Sequence, residues 1–248
     1  MNGNENKEVV LLIRNLYKSF GSNKVLNGFN LALKKGENLA VLGKSGSGKS
    51  VLIKCIIGLL YPDEGEITVL GQSIQSLNQD ELDHLRVKIG FLFQSNALYD
   101  SMTVRENLEF PLRRHWMEVN NTKAHELVME ALENVGLADT VNKMPAELSG
   151  GMRKRIALAR TLILQPEIIL YDEPTTGLDP ITSKEISELM NHLQKKYNTS
   201  SIIISHDMNC IQRTSDRMIL LIDGVAYKEG SFDELKGSDD PVIQPYFE

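Results

Sequence analysis

The sequence predicts an open α/β sheet with a helical insertion between its two parts, and three observations carry that expectation. Residues 167–174 read Glu-Ile-Ile-Leu-Tyr-Asp-Glu-Pro, an apolar run of the kind that forms an interior parallel strand and here ends in two acids. A glycine-rich loop at 43–50 follows an apolar stretch and leads into an amphipathic one, which makes a strand–loop–helix unit. Residues 95–164 carry helical periodicity without a clear strand, while strand patterns lie on both sides, as in an α/β core that has accepted an insertion.

The elements follow in order. Residues 1–8 are polar and are expected to be a disordered lead-in. Strands are expected over 9–15 and 26–33, the second alternating through Leu31 and Leu33. Residues 37–42 form a short strand that runs into the glycine-rich loop. A helix over 49–60 follows, with Leu52, Ile53, Ile56, Ile57 and Leu60 on one face. A turn at 61–66 precedes a strand at 67–70, and another strand is expected at 88–94. Helices are expected at 104–113, 122–135 and 149–164, the last with Ser149 as a natural N-cap. Strands resume at 168–172, 202–205 and 218–223, with a helix at 182–197 between the first two. The expected division is therefore a core of 9–94 and 165–235, an insertion of 95–164 and a tail of 236–248.

Composition bounds the partners. A chain of 248 residues with 42% hydrophobic content has ample material for a large core. A net charge of -6 argues against nucleic acid as a partner. The two cysteines, Cys55 and Cys210, lie in apolar contexts that favour core packing over a reactive thiol. They suggest no disulfide framework and so a reducing compartment. No stretch approaches the roughly 18 apolar residues of a membrane-spanning helix, and the N-terminus lacks a signal-peptide apolar region. A cytoplasmic location is expected, with any membrane role coming through a partner.

The loop Gly43-Lys44-Ser45-Gly46-Ser47-Gly48-Lys49-Ser50 fits the phosphate-binding pattern G-x-x-x-x-G-K-S/T at every fixed position. Glycines let backbone N–H groups approach phosphate oxygens, and the helix N-terminus adds a favourable dipole. Lys49 would reach the β- and γ-phosphates and the Ser50 hydroxyl would ligate Mg²⁺. Asp172 and Glu173 end their strand where open α/β sheets place their chemistry, able to supply a metal partner and a base for attacking water. Gln94 and His206 also follow apolar strands. Each alone is more often an ordinary strand end, but at this sheet edge Gln94 suits a metal or water and His206 a γ-phosphate. In Leu148-Ser149-Gly150-Gly151-Met152 a capped helix explains the serine. It does not require two consecutive glycines, which cost helix stability, and a second anion site is the functional alternative.

Taken in order, the phosphate loop, Gln94, residues 148–152, 168–173, the Thr176-Gly177-Leu178-Asp179 turn and His206 resemble the ATP-binding-cassette (ABC) ATPase family over residues 9–230. The resemblance implies a RecA-like P-loop NTPase core with an antiparallel β subdomain and a helical subdomain. It implies ATP hydrolysis with ATP and Mg²⁺ bound. Phe20 would stack on adenine with Val25 nearby, and Gly43 to Ser50, with Val51, would hold the triphosphate. Ser50 and Gln94 would ligate Mg²⁺, and Asp172 would hold it through water. Glu173 would polarise the attacking water and His206 would clamp the γ-phosphate. Ser149, Gly150 and Gly151 would bind the nucleotide of the opposite subunit, and Asp179 would help join the halves. Two features depart from the family's commonest pattern: Phe20 stands where tyrosine is usual, with Tyr17 competing, and Met152 stands where glutamine is usual. One phosphate loop and one signature per chain imply a homodimer with two composite sites.

Residues 93–104, with Glu106-Asn107-Leu108 and Pro111-Leu112-Arg113, resemble the ATPases of Mla/Mce-type phospholipid transporters. So do 149–155, 177–183 and Ser205-His206-Asp207-Met208. That resemblance implies integral membrane permease subunits, an Mce-type lipid-binding partner, and a peripheral position on the cytoplasmic face of the inner membrane. Alternatives are an ABC transporter ATPase for another cargo, and a non-transport, ATP-gated regulator of the cell-division type. A DNA-repair or translation ABC protein is disfavoured by the lack of a second cassette or long coiled-coil insertion. A P-loop kinase or GTPase leaves residues 148–152 unexplained. The tail lies outside the motifs, and its Asp239-Asp240-Pro241 and Tyr246-Phe247 are expected to dock on the partner protomer rather than fray.

Overall fold

The computed structural model describes residues 8–114 and 120–247. In chain order the elements are strands β1 (Val9–Phe20), β2 (Asn23–Lys34) and β3 (Asn38–Leu42), helix α1 (Lys49–Ile56), β4 (Glu64–Val69), β5 (Gln72–Ser73), α2 (Gln79–Val87) and β6 (Ile89–Leu92). Three helices follow, α3 (Val104–Arg114), α4 (Asn121–Asn134) and α5 (Gly150–Leu162). Then come β7 (Ile168–Asp172), α6 (Pro180–Tyr197), β8 (Ser200–Ile204), α7 (Met208–Thr214), β9 (Arg217–Ile222), β10 (Val225–Gly230) and α8 (Phe232–Lys236).

The strands form two sheets. An antiparallel sheet has the order β2-β1-β4-β5, and a second sheet has the order β10-β9-β3-β8-β7-β6. In the second, β9, β3, β8, β7 and β6 are parallel and only β10 is antiparallel. Its central strands are buried on both faces, and their period-2 alternation sorts side chains into layers. On one face Leu39, Val41, Leu170, Ile202, Ile204 and Ile219 share a cluster with α1 and with the inner face of the antiparallel sheet. On the other, Ile169, Tyr171 and Ile203 pack on the α3–α6 helices. Ala40, Leu42, Met218 and Leu220 pack on Ile211, Leu235 and Ile243.

Several boundaries differ from expectation for identifiable reasons. The first helix stops at Ile56, short of Leu60, because the N–H groups of Leu59 and Leu60 both donate to the Lys54 carbonyl. The strand expected at 88–94 is Ile89–Leu92, so Gln94 lies two residues beyond the ladder. β1 continues past Asn15 because a left-handed residue there (φ 46) makes a bulge, braced by the Asn30 side chain. α2 is a helix for which no expectation was set: Asn78 and Glu81 form a reciprocal capping box ahead of the buried Leu82 and Leu85. β10 is an edge strand with no fully buried residue, so its apolar Val225-Ala226-Tyr227 run shows no core-facing alternation.

Of the lead-in expected to be disordered, residues 1–7 lie outside the described residues, while the Glu8 carbonyl accepts a hydrogen bond from the Lys35 N–H (2.8 Å). The tail packs on its own chain, with Ile243 fully buried. Among the described residues no helix is long and apolar enough to cross a membrane.

Candidate active site

Four adjacent parallel strands deliver the candidate residues to one sheet edge. Val41 of β3 lies opposite Ile204 of β8, Ile204 opposite Asp172 of β7, and Tyr171 opposite Leu92 of β6. The segments leaving those strand ends are the glycine-rich loop, Ser205-His206, Asp172-Glu173 and Gln94. Parallel pairing therefore gathers four motifs that lie up to 163 residues apart in sequence, Gly43 and His206 being the extremes. They line a cleft of about 840 Å³ together with Phe20 and Val25.

The loop is built to keep its backbone open. Gly48 holds φ 104, and a Cβ there would lie 2.9 Å from Val25 Cγ1 and 3.0 Å from the Val25 carbonyl oxygen. Only glycine suits both the backbone and the space. Lys44, Ser45 and Gly46 are exposed along the cleft. The Lys49 ammonium donates to the carbonyl oxygens of Gly43 (2.7 Å) and Lys44 (3.0 Å). Burial pulls its pKa down, while Glu173 and Asp172 oppose that shift.

The acids differ from each other. Burial and then the Glu173 charge raise the Asp172 pKa, against the pull of Lys49, Lys154 and Lys54. Glu173 leaves the strand with a left-handed backbone (φ 51) while its N–H donates to the Ile204 carbonyl (2.8 Å). Its Oε2 accepts from Thr176 Oγ1 (3.1 Å) and lies 2.8 Å from His206 Nδ1. The Glu173 side chain is 13% exposed and the His206 ring 68%, so the carboxylate is fixed and the imidazole faces solvent. Ser50, Gln94 and Asp172 present a hydroxyl, an amide and a carboxylate, the hard oxygen donors that suit Mg²⁺.

Not every candidate reaches the cleft. Tyr17 does not line it; its hydroxyl lies against Gly28, 3.0 Å from where a Cβ would stand. Ser149, Gly150, Gly151 and Asp179 are also absent from its lining. Ser149 caps α5 by accepting from the Met152 N–H (3.2 Å). Asp179 caps α6 by accepting from the N–H groups of Ile181 and Thr182 (3.0 Å each). These two helix starts adjoin: a Cβ on Gly151 would come within 2.7 Å of Thr182 Cγ2. The chain thus carries a cleft and a separate exposed face.

The sequence reading passed over Lys154. It is buried at 1% exposure, and its ammonium donates to the Gln94 carbonyl (3.2 Å). Burial pushes it down to about 8, with Asp172 pulling the other way. Arg160, two turns on, donates to the Asn96 and Ala97 carbonyls (3.0 and 2.8 Å). The helix that opens with Ser149 therefore holds the segment after Gln94. Met208, Pro245 and Tyr246 also line the cleft. Met208 belongs to the Ser205–Met208 run, whereas Pro245 and Tyr246 lie in the tail, outside the motifs.

The family model for ABC transporters matches residues 26–176. The chain belongs to the ABC transporter ATPase family. The intermembrane phospholipid transport system ATP-binding protein MlaF of Haemophilus influenzae is 39% identical over 228 residues, covering 92% of this chain and 86% of MlaF. The probable ribonucleotide transport ATP-binding protein mkl of Mycobacterium leprae is likewise 39% identical, covering 96% of this chain and 68% of mkl. The cassette MJ0796, solved as a dimer in a post-hydrolysis state with ADP and Pi, superposes with a TM-score of 0.80 at 33% identity, covering 90% of this chain and 98% of that one. The fold is that of an ABC-type P-loop NTPase, and the chain is an ATP-binding ABC ATPase.

Proposed function

We propose that the chain is the ATP-hydrolysing subunit of a transporter that moves phospholipid between the membranes of a bacterial envelope. The observation that carries the cargo is the match to MlaF, which spans nearly all of both chains. In this reading Phe20 stacks on adenine beside Val25. Residues 43–51 hold the triphosphate, with Lys49 turning from its loop carbonyls to the β- and γ-phosphates. Ser50 and Gln94 would ligate Mg²⁺ and Asp172 would hold it through water, and the ion would supply charge neutralisation at the phosphates. Glu173 orients the attacking water and takes its proton, and His206 contacts the γ-phosphate. Oriented charges in a dry site are the main source of such rate enhancement.

Ser149, Gly150 and Gly151 of a second copy complete each site, with Asp179 at the junction, so the working form is a homodimer. The dimeric cassette MJ0796 supports that assembly. The exposed segment around and after Gln94, from Phe93 to Tyr99, meets the membrane permease on the cytoplasmic face of the inner membrane. An Mce-type lipid-binding protein completes the complex. Residues 9–94 with 165–235 act as the core and 95–164 as the helical signature unit.

The test is co-purification from native membranes followed by reconstitution in vesicles. A permease together with a lipid-binding partner, and ATPase activity that responds to phospholipid, is the expected outcome. Stimulation by ribonucleotide instead, the cargo named for mkl, would replace phospholipid in this reading.

A further inference from the structure

The end of the chain closes back on the cleft. Ile243 is fully buried against Leu42, Met218, Leu220 and Leu235. The Tyr227 hydroxyl donates to Asp240 Oδ2 (3.0 Å), and Asp240 Oδ1 accepts from the Val242 N–H (2.8 Å). Phe247 packs edge-on to Phe232 with ring centroids 5.4 Å apart. Between these anchors the single turn Gln244–Tyr246 brings Pro245 and Tyr246 into the lining of the same cleft as Phe20, Val25 and the phosphate loop. Ile243 and Phe247 account for closing the core, and neither lines the cleft. Tyr246 is only partly buried and does line it. Burial, and then the Asp223 charge, raise its pKa, so the phenol is neutral at physiological pH.

We propose that Tyr246 is a nucleotide-contacting residue of its own chain, its ring packing on the purine nucleotide held by the phosphate loop. This rests on the reading of the cleft as the ATP site and makes the C-terminal strap part of that site. Nucleotide and strap order are then linked: what binds the ordered form stabilises it.

The test is calorimetric titration of the full chain with Mg-ADP, under conditions where sizing shows a monomer. Tyr246→Ala should weaken binding roughly ten-fold, within the range for loss of one aromatic ring under a base. Tyr246→Phe should bind as the wild type does. Tyr246→Leu keeps apolar bulk in the strap without a ring and should match the alanine variant, which separates stacking from strap packing. ADP should also slow carboxypeptidase digestion of the wild-type tail. Equal affinity for wild type and Tyr246→Ala would overturn the assignment, as would equal loss in Tyr246→Phe and Tyr246→Ala. A wild-type chain that binds no ADP would instead count against the cleft as a nucleotide site.

Discussion

Glu173 spends backbone strain on position. A glutamate at φ 51 occupies a sparsely populated region that costs on the order of 1–3 kcal/mol, and such strain gathers at functional sites. The N–H bond to Ile204 and the donors around Oε2 hold it there. Replacing Glu173 with Gln should keep nucleotide affinity and lower turnover by about 10²- to 10⁴-fold, the usual worth of a positioned base. Phosphate-release kinetics beside ATP titration would check this; wild-type turnover would move the role to another group, His206 first. Lys154 makes a separate prediction. Its folded-state pKa, about 8, lies below the ordinary lysine value of 10.5. Between those values the unfolded chain holds a proton that the folded chain has released, so stability gains from this residue as pH rises. Lys154→Met should flatten the rise in unfolding free energy above pH 8 in denaturation at several pH values. Identical slopes would mean that the buried ammonium is not suppressed.

At the scale of elements, the segment between β6 and α3 depends on one buried side chain. Asn107 donates to the carbonyls of Tyr99, Met102 and Thr103 (3.1 Å each), and its amide oxygen accepts from the Tyr99 N–H (2.8 Å). These bonds, with Lys154 and Arg160, hold the stretch after Gln94 against α5. Asn107→Leu fills the volume but leaves buried backbone groups unpaired, each costing about 1–3 kcal/mol. Chemical denaturation should show a loss of about 2 kcal/mol or more, while nucleotide affinity of the isolated chain stays near wild type. A second element-level prediction concerns the start of α1. Gly48→Ala meets both a left-handed backbone and the Val25 side chain, so it should abolish ATP binding in a titration while the rest of the sheet remains folded. Retained binding would show that the loop tolerates displacement.

At the scale of the molecule, the cleft and the Ser149–Asp179 face are separate surfaces of one chain, and Ile181 beside that face is 73% exposed. A large apolar side chain so exposed fits a surface that is covered on assembly. Mixing a Lys49→Ala chain with a Ser149→Arg chain should restore activity that neither has alone, because one of the two composite sites then contains no altered residue. Failure to complement, with both chains folded, would count against trans completion. The chemistry-bearing positions were legible because each motif is local: the loop pattern, the acids after an apolar run, and the serine cap are all set by neighbours in sequence. The edge strand β10 and the early end of α1 were not legible, since edge pairing and backbone closure decide them. Lys154 gave no signal because a lysine in a helix ordinarily faces water; packing alone makes it a buried donor. The sequence by itself determined which residues can bind phosphate, hold a metal and activate water, because those capacities belong to side chains and short backbone patterns. The tertiary structure decided which of them share a cleft, through the parallel order β3-β8-β7-β6. It also decided that Phe20 rather than Tyr17 lines that cleft and that the tail returns to it, because both depend on strand register and on burial of distant residues.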